Sequence, residues 1–342
     1  MTSRRSFANL VGLTIGVAGL VFVGVRIARD WDQLTATLES AQLPWLVAAV
    51  AAGLTSMTLI GVNWLALIRR RGHAAPLGLG LSWFFTGQLG KYVPGGVWPV
   101  VGQAELAGRG GADRRSAYLA TASSMTFTLL GAVTVAVVSG LLSPNDRALT
   151  AFLLGLGMLV VLGSLASPSL RSKLGRLASS ATRGRAELPA ASVVARYTLR
   201  HVPVWLMFGI MNVCVLLGLG GDLGPGLFVD MLYASSLSWI VGFVVVGVPG
   251  GIGVRESVFV GLMTGPLGAT LALSVAVAGR LVTVAVDLLG ALGAAVIARS
   301  RRSRAPSSVR SLVDVPTAEA DHPDPVLQRG GDTAADGGRP SA

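Results

Sequence analysis

Long apolar segments separated by short polar stretches run through most of the chain. A helix that spans the hydrocarbon core of a bilayer needs about 20 apolar residues, and most of these segments reach that length. The pattern predicts an all-α integral membrane protein with about six full transmembrane helices and two interrupted elements. The apolar segments lie at 7–25, 44–68, 77–101, 117–141, 148–166, 195–219, 226–248, 255–265 and 268–297.

The tetrapeptide Val-Pro-Gly-Gly occurs twice, at 93–96 and 248–251, and each copy interrupts an apolar stretch. Proline removes a backbone donor and glycine destabilises a helix, so both copies predict a break. Inside a bilayer, broken backbone is tolerated only where it is buried in protein or lines a cavity. A matched pair of breaks therefore predicts a substrate path. The predicted hinge residues are Pro94, Gly95, Gly96, Pro249, Gly250 and Gly251.

Basic residues cluster at alternate ends of the apolar segments. Because cytoplasmic loops carry the excess of Lys and Arg, these clusters predict the orientation, with both termini in the cytoplasm. The clusters predicted to be cytoplasmic are 4–5, 69–71, 109–115, 171–196 and 299–304, and the parts predicted to be outside are 26–43, 143–147 and Asp222.

This orientation constrains the two interrupted elements. The basic clusters on either side of 77–101 are both inside, so that segment is predicted to enter and leave the membrane on one side. Likewise, 226–248 and 255–265 together must return to the outside, and 255–265 covers only about 16 Å as a helix. We therefore predict two re-entrant hairpins that dip from opposite faces, as in an inverted repeat. The alternative is that 226–250 spans the membrane and the charge rule fails once.

Composition supports the membrane class. Of the 342 residues, 52% are hydrophobic and 13% are charged, whereas soluble domains carry about 25% charged residues. A net charge of +11 could indicate nucleic-acid binding, but the arginines stand at the ends of apolar segments, which indicates membrane orientation and contact with anionic lipid. We therefore expect no nucleic-acid partner.

The ends of the chain have their own patterns. The segment 7–25 resembles a signal sequence, but Arg26 follows without a clear small-residue cleavage site, so we expect a retained first helix. Residues 298–342 are rich in Arg, Ser, Pro, Asp and Gly, which predicts a disordered cytoplasmic tail after a transmembrane domain of residues 1–297. The only cysteine, Cys214, excludes a disulfide framework and a cysteine-based zinc site.

Charged residues within membrane segments are candidate functional residues. Arg255 and Glu256 follow the second break directly, at the start of a half-helix, where an anion is favoured and an arginine adds a phosphate or carboxylate ligand. The alternative is a structural ion pair that holds the broken backbone. Arg280 and Asp287 are seven residues apart on one face of the last helix, and either pair through another group or meet partners elsewhere.

Lys91 and Tyr92 stand just before the first break and are candidates to face the cavity. The alternative for Lys91 is that its side chain reaches the cytoplasmic interface. Glu105 and Arg109 are four residues apart and form either part of the cytoplasmic mouth or a surface pair. His73 and His201 are isolated, so no metal site is expected. The chain has no signature of an NTPase, zinc protease or serine hydrolase, and no cofactor is expected.

Two stretches resemble the signatures of a known family. They are Gly-Lys-Tyr-Val-Pro-Gly-Gly-Val-Trp at 90–98, followed by Gly102 and Glu105, and Pro-Gly-Gly-Ile-Gly-Val-Arg-Glu at 249–256; Arg280 and Asp287 are also similar. The chain resembles the lysylphosphatidylglycerol synthase transmembrane region, the flippase-like membrane domain of the multiple-peptide-resistance factor. The resemblance covers about 7–297.

The resemblance implies a bacterial or archaeal cell-membrane protein that handles lipid-linked substrates. In the best-known members, this domain moves aminoacylated phospholipid between leaflets and a separate soluble domain makes that lipid. Only a short tail follows residue 297 here, so we expect no aminoacyl transfer by this chain alone. Many members carry an acidic residue after the first signature, where this chain has Ser-Ser-Met-Thr at 123–126, so its head-group preference is expected to differ.

Three functions follow as expectations. The first is translocation of an anionic or aminoacylated phospholipid, or of a polyprenyl-linked substrate, through a midplane cavity; Arg255 and Lys91 would bind phosphate, and Glu256 and Asp287 would balance charge or bind a cationic head group. The second is a membrane transferase that acts on a lipid phosphate, with Glu256 or Asp287 as the base. The third is a non-catalytic partner of a separately encoded synthase or glycosyltransferase. Homo-oligomers are also possible.

Overall fold

A computed structural model describes residues 41–92, 97–167, 189–245 and 251–304, together with the isolated residues 28, 39, 169, 172, 173 and 176. The regular structure of these residues is helical, which confirms the predicted all-α class. The described helices are α1 (Leu43–Arg70), α2 (Leu77–Gln88), α3 (Trp98–Arg109), α4 (Arg114–Leu142), α5 (Ala148–Ala166), α6 (Ala191–Gly218), α7 (Leu227–Val244), α8 (Val254–Leu267) and α9 (Ala269–Arg304), with a 3-10 turn at Leu89–Tyr92 after α2.

Several predictions concern residues outside this description. They are the first helix at 7–25, the hinge residues Pro94, Gly95, Gly96, Pro249 and Gly250, and most of the C-terminal tail. Helix α9 continues to Arg304, seven residues past the predicted end of the transmembrane domain, so the start of the predicted tail is helical. The disorder of the rest of the tail stays a prediction.

Five of the described helices are long and apolar enough to cross a membrane: α1, α4, α6, α7 and the Ala269–Ile297 part of α9. Helix α5 contributes a shorter apolar stretch, Ala148–Ser164. By this measure α7 qualifies as a span, although the sequence assigned it to one arm of a hairpin. The chain is thus a membrane protein with multiple apolar helices, while the predicted count of about six spans stays untested.

Helices α2 and α3 form an antiparallel pair in which glycines allow the two backbones to approach closely. A Cβ at Gly87 would lie 2.8 Å from the backbone nitrogen of Gln103, and a Cβ at Gly90 would lie 2.7 Å from the backbone carbon of Trp98. The order of these contacts runs in opposite directions along the two helices. The described residues before and after 93–96 therefore run in opposite directions, and 93–96 is the segment where the sequence predicted a break.

The open end of the α2–α3 pair lies among the loops that the sequence predicted to be cytoplasmic. The Arg69 guanidinium donates to the carbonyl of Ala75 at 2.7 Å, and the rings of His73 and Trp83 are 6.1 Å apart. A Cβ at Gly78 would lie 3.7 Å from Ile297 of α9. The connection from α1 to α2 and the C-terminal part of α9 therefore share one end of the bundle.

At this same end, the connection from α3 to α4 begins a new helix. Asp113 precedes α4 and its carboxylate accepts the backbone N–H of Ser116 at 2.8 Å. This hydrogen bond lowers the pKa of Asp113, since it stabilises the charged form. The cap satisfies one of the free N–H groups of the first turn of the helix.

The loops predicted to be outside meet at the opposite end of the bundle. The backbone N–H of Gln42 donates to the carbonyl of Gly218 at 2.7 Å. Arg147 lies 3.0 Å from the carboxylate of Asp230 and donates to the carbonyl of Leu262 at 3.0 Å. The start of α7 and the end of α8 therefore both lie at this end. The start of α2 and the end of α3 lie at the other end, so the two helix pairs open at opposite ends of the bundle.

Helix α9 runs between these two ends and carries charges near its middle. At 1.5 Å per residue, Arg280 is about 18 Å along the helix from Gly268, and Asp287 is about 15 Å from Ile297. Asp287 is only 1% exposed. The helix thus holds an arginine and an aspartate at the depth where the two interrupted elements end.

Candidate functional site

A cavity of about 420 Å³ is lined by residues of α1, α2, α3, α4, α6, α7, α8 and α9. Most of its wall is apolar and aromatic, including Phe84, Trp205, Phe208, Trp239 and Phe243. Its charged wall residues stand beside the two interruptions and on α9. The polar and charged side chains of the wall are Ser56, Gln88, Lys91, Gln103, Thr121, Ser124, Thr128, Arg255, Arg280 and Thr283.

The first interruption is fixed to α9 by an ion pair. The Lys91 ammonium lies 2.7 Å from both carboxylate oxygens of Asp287, and the Tyr92 hydroxyl donates to the same carboxylate at 2.5 Å. Because Asp287 is buried, these donors supply the compensation that a buried charge needs. The 3-10 turn at Leu89–Tyr92 places both donors at the end of the first helical arm.

The second interruption is fixed to the same helix with the signs reversed. The Glu256 carboxylate accepts the backbone N–H of Gly253 at 2.6 Å and so caps α8. Its other oxygen lies 3.7 Å from Nε of Arg280. Gly253 has a φ of 84°, a left-handed conformation that favours glycine. The residues next to each break therefore pair with residues two turns apart on α9.

Arg255 has a different environment. Its guanidinium lies 5.3 Å from the centroid of the Trp239 ring, and Nε is buried with no hydrogen-bond partner among the described residues. Gly242 and Gly251 are both so close to this side chain that a Cβ at either would collide with it. The small glycines thus allow Arg255 to lie against Trp239 and to line the cavity.

Among the described residues, the charged side chains that line the cavity are all positive. Lys91, Arg255 and Arg280 line it, whereas Asp287 and Glu256 lie beside it and are held by Lys91 and Tyr92 and by Arg280 and the α8 backbone. Three cations and two carboxylates leave a formal charge of +1. Beside a mostly apolar wall, such an arrangement favours an anionic group such as a phosphate.

Other candidates from the sequence lie elsewhere. Glu105 pairs with Arg114 at 3.1 Å and accepts from the Tyr118 hydroxyl at 3.1 Å, so its partner is Arg114 rather than Arg109. Neither Glu105 nor Arg109 is among the residues that line the cavity. Ser124, in the serine-rich stretch, does line it.

The two described histidines with sequence predictions, His73 and His201, lie in different surroundings. His201 is buried, with Nδ1 2.7 Å from the carbonyl of Tyr197, and His73 lies near the ring of Trp83. Within the part of the chain that the structure describes, no group of three His, Cys, Asp or Glu side chains is arranged to hold a metal ion.

Among the residues of the cavity wall that sequence reasoning missed are Trp239, Gln88 and Gln103. Trp239 is one aromatic in a long apolar segment, and nothing in the segment distinguishes it. Gln88 lies within the apolar segment 77–101, and Gln103 lies two residues after its end. Amides are uncommon in such segments because their polar groups need partners, so Gln88 carried a signal that could have identified it.

A comparison with protein families identifies the family of this chain. Residues 9–291 match the family model of the lysylphosphatidylglycerol synthase transmembrane region. The chain belongs to this family. No curated protein matches the chain. Membership indicates a membrane protein with a function related to membrane lipids, which the apolar helices support.

Proposed function

We propose that this protein moves a phospholipid or another lipid-linked substrate across the cell membrane through the cavity. The observation that carries the proposal is the meeting of both interrupted elements on α9, beside one cavity: Lys91 pairs with Asp287 and Glu256 with Arg280. Discontinuous helices that meet near the middle of a bilayer are typical of transporter binding sites.

The arrangement of the helix pairs supports alternating access. The α2–α3 pair and the α7–α8 pair open at opposite ends of the bundle, which we interpret as two re-entrant hairpins with inverted topology. Small movements of one pair against the other would then expose the cavity to one side of the membrane at a time. The basic clusters assign the α2–α3 end, and both chain termini, to the cytoplasm.

The cavity wall suits a lipid head group with its first apolar atoms. Arg255 offers an unpartnered Nε, and Lys91 and Arg280 add two more cations. A phosphate entering this site would compete with Asp287 for Lys91 and with Glu256 for Arg280. Exchange of these ion pairs would connect head-group binding to the positions of the two hairpins, since each pair ties a hairpin to α9.

The carboxylates favour a carrier over the transferase alternative. A general base must be able to reach the proton that it removes. Asp287 already accepts from two donors, and Glu256 caps α8. Each carboxylate is therefore already bonded within the protein, whereas a general base needs to be able to accept a proton from the substrate. Because the chain has no nucleotide-binding signature, we propose downhill or ion-coupled movement.

Reconstituted vesicles test the proposal. The purified protein is inserted into liposomes that contain an acyl-labelled fluorescent phosphatidylglycerol, and dithionite then bleaches only the label in the outer leaflet. Movement between leaflets raises the bleached fraction from about half towards all of the label. If the bleached fraction equals that of protein-free liposomes for every lipid class tried, translocation is wrong.

Two variants connect the movement to the cavity. Arg255→Ala removes the cation with the unpartnered Nε and is expected to abolish the movement. Arg70→Ala removes an exposed arginine at the end of α1 and serves as the matched control, with movement equal to that of the unchanged protein. Mass spectrometry of the lipids after the assay addresses the transferase alternative, because a covalent change in the lipid would support catalysis instead.

A further inference from the structure

The cavity presents cations to its interior without an accompanying carboxylate. Its charged wall residues within the described part of the chain are Lys91, Arg255 and Arg280. Of the two nearby carboxylates, Asp287 does not line this cavity, and Glu256 lines a smaller adjoining cavity of about 60 Å³ that shares Arg255 and Arg280 with it. A head group in this cavity therefore meets positive charge from three wall residues.

Both carboxylates are also engaged. Asp287 binds Lys91 and Tyr92, so an amine of a head group would have to displace an ammonium that belongs to the protein. Glu256 accepts from the α8 backbone and faces Arg280. An incoming amine would therefore meet each acid already paired within the protein and would be repelled by the wall cations, and such like-charge contacts are costly where water is excluded.

The surroundings of Arg255 favour an anionic ligand. Its Nε is buried without a partner among the described residues, although buried polar groups are normally hydrogen-bonded. The guanidinium carbon lies 5.3 Å from the centroid of the Trp239 ring, and the side chain lines the cavity. A phosphate or another oxyanion is the group that a guanidinium binds best.

Resting on the proposed function, we infer that the cavity selects lipids by head-group charge: it accepts phosphate head groups with net negative charge and discriminates against head groups that carry an amine, aminoacylated lipids included. The predominantly apolar wall distinguishes a lipid phosphate from a free phosphate, because it matches the acyl-proximal part of a lipid. The three wall cations set this preference, and the neutral amides of Gln88 and Gln103 in the same wall supply no negative charge to offset them.

The test compares lipids that differ in head-group charge within the vesicle assay. Acyl-labelled phosphatidylglycerol is anionic, phosphatidylethanolamine is zwitterionic and lysylphosphatidylglycerol carries amines. We expect phosphatidylglycerol to move at least about tenfold faster than lysylphosphatidylglycerol, since an unfavourable charge contact in a dry site costs at least this factor. Equal rates, or a faster aminoacylated lipid, overturn the inference and leave the proposed translocation intact.

Binding provides a readout that does not depend on movement. The purified protein is incubated with an equimolar mixture of the three lipids, and the retained lipids are quantified by native mass spectrometry. If no lipid moves in vesicles but phosphatidylglycerol is retained preferentially, the selectivity stands and the proposed function fails. If no lipid is moved or retained, both fail. If inorganic phosphate displaces the lipid at micromolar concentration, the ligand is a soluble phosphate and the assignment to lipid is overturned.

An isosteric substitution tests which feature sets the preference. Gln88→Glu adds a carboxylate to the cavity wall without changing the size of the side chain, and is expected to reduce the ratio of phosphatidylglycerol to lysylphosphatidylglycerol retained by about tenfold. Gln42→Glu makes the same change at an exposed position before α1, outside the cavity, and is expected to keep the original ratio. If Gln88→Glu fails to fold, Gln103→Glu makes the same change in the same cavity. An unchanged ratio in folded Gln88→Glu or Gln103→Glu contradicts the inference.

Discussion

Lys91 and Asp287 are separated by 196 residues, and their side chains meet with both oxygens of the carboxylate 2.7 Å from the ammonium. The contact joins the end of the first interrupted element to the middle of the last helix. Asp287 is almost fully buried, whereas Lys91 keeps about a fifth of its side-chain surface. The pair therefore contributes to stability mainly by compensating the charge of a buried carboxylate.

This geometry predicts an asymmetric response to substitution. Lys91→Met leaves the buried carboxylate without its cation and is expected to lower the free energy of unfolding by about 3–5 kcal/mol. Tyr92→Phe removes only a hydrogen bond to that carboxylate and is expected to cost about 2 kcal/mol. Thermal unfolding in detergent measures both.

The double variant gives the control for this prediction. Lys91→Met with Asp287→Asn removes both charges together, so it is expected to recover part of the stability that Lys91→Met alone loses. Asp287→Asn alone completes the cycle, and if the losses of Lys91→Met and Asp287→Asn simply add in the double variant, the ion pair is not energetically coupled and the assignment is wrong.

Glu256 predicts a graded response of a different kind. Glu256→Ala removes both the cap on Gly253 and the contact with Arg280, and is expected to destabilise by about 1–3 kcal/mol. Glu256→Gln retains an oxygen that can accept from Gly253, so it should lose less than Glu256→Ala. The same unfolding assay ranks the two, and equal losses would show that the cap contributes nothing.

The sequence predicted the interruptions more completely than it predicted their partners. Proline and glycine act through their own backbones, so the breaks near 93–96 and 248–251 could be identified from local sequence. Partners such as Asp287 for Lys91 depend on helices far apart in the chain. The sequence placed Arg280 and Asp287 on one face but left open whether they pair with each other or elsewhere, and the structure gives each a partner beside a different break.

Arg255 and Glu256 illustrate the same limit at short range. As neighbours of opposite charge, they suggested either an anion site or a structural ion pair. In the structure, Glu256 turns back to cap its own helix and faces Arg280, while Arg255 lies against Trp239. The choice between these arrangements depends on the close packing of Gly242 and Gly251, which no helix period or charge count encodes.

Close helix packing predicts a strong effect of small substitutions in the first interrupted element. Gly87→Ala and Gly90→Ala would place a Cβ less than 3 Å from the backbone of α3 or its neighbours, so the pair must separate. We expect a loss of about 1–3 kcal/mol for each. Gly157→Ala in α5 is the matched control, because a Cβ at this position would have no neighbouring atom within 4 Å, and it should be neutral or slightly stabilising in thermal unfolding.

The arrangement of the two helix pairs predicts a labelling pattern. Cys214 is the only cysteine, so Cys214→Ala provides a background for single cysteines. Gly265→Cys lies at the exposed end of α8, where a Cβ has space, and a membrane-impermeant maleimide added to intact cells should label it. Asp222→Cys, on the same end of the bundle, should be labelled equally.

Arg71→Cys completes this test from the opposite end. It follows α1 and is exposed, and it should react only after the cells are permeabilised, because the charge rule places its loop in the cytoplasm. Since Gly265 is separated from Asp222 by α7 and α8, labelling of both from outside requires these helices to leave and return on one face. If Gly265→Cys reacts only after permeabilisation while Asp222→Cys reacts in intact cells, the α7–α8 pair crosses the membrane, and the inverted arrangement of the two hairpins is wrong.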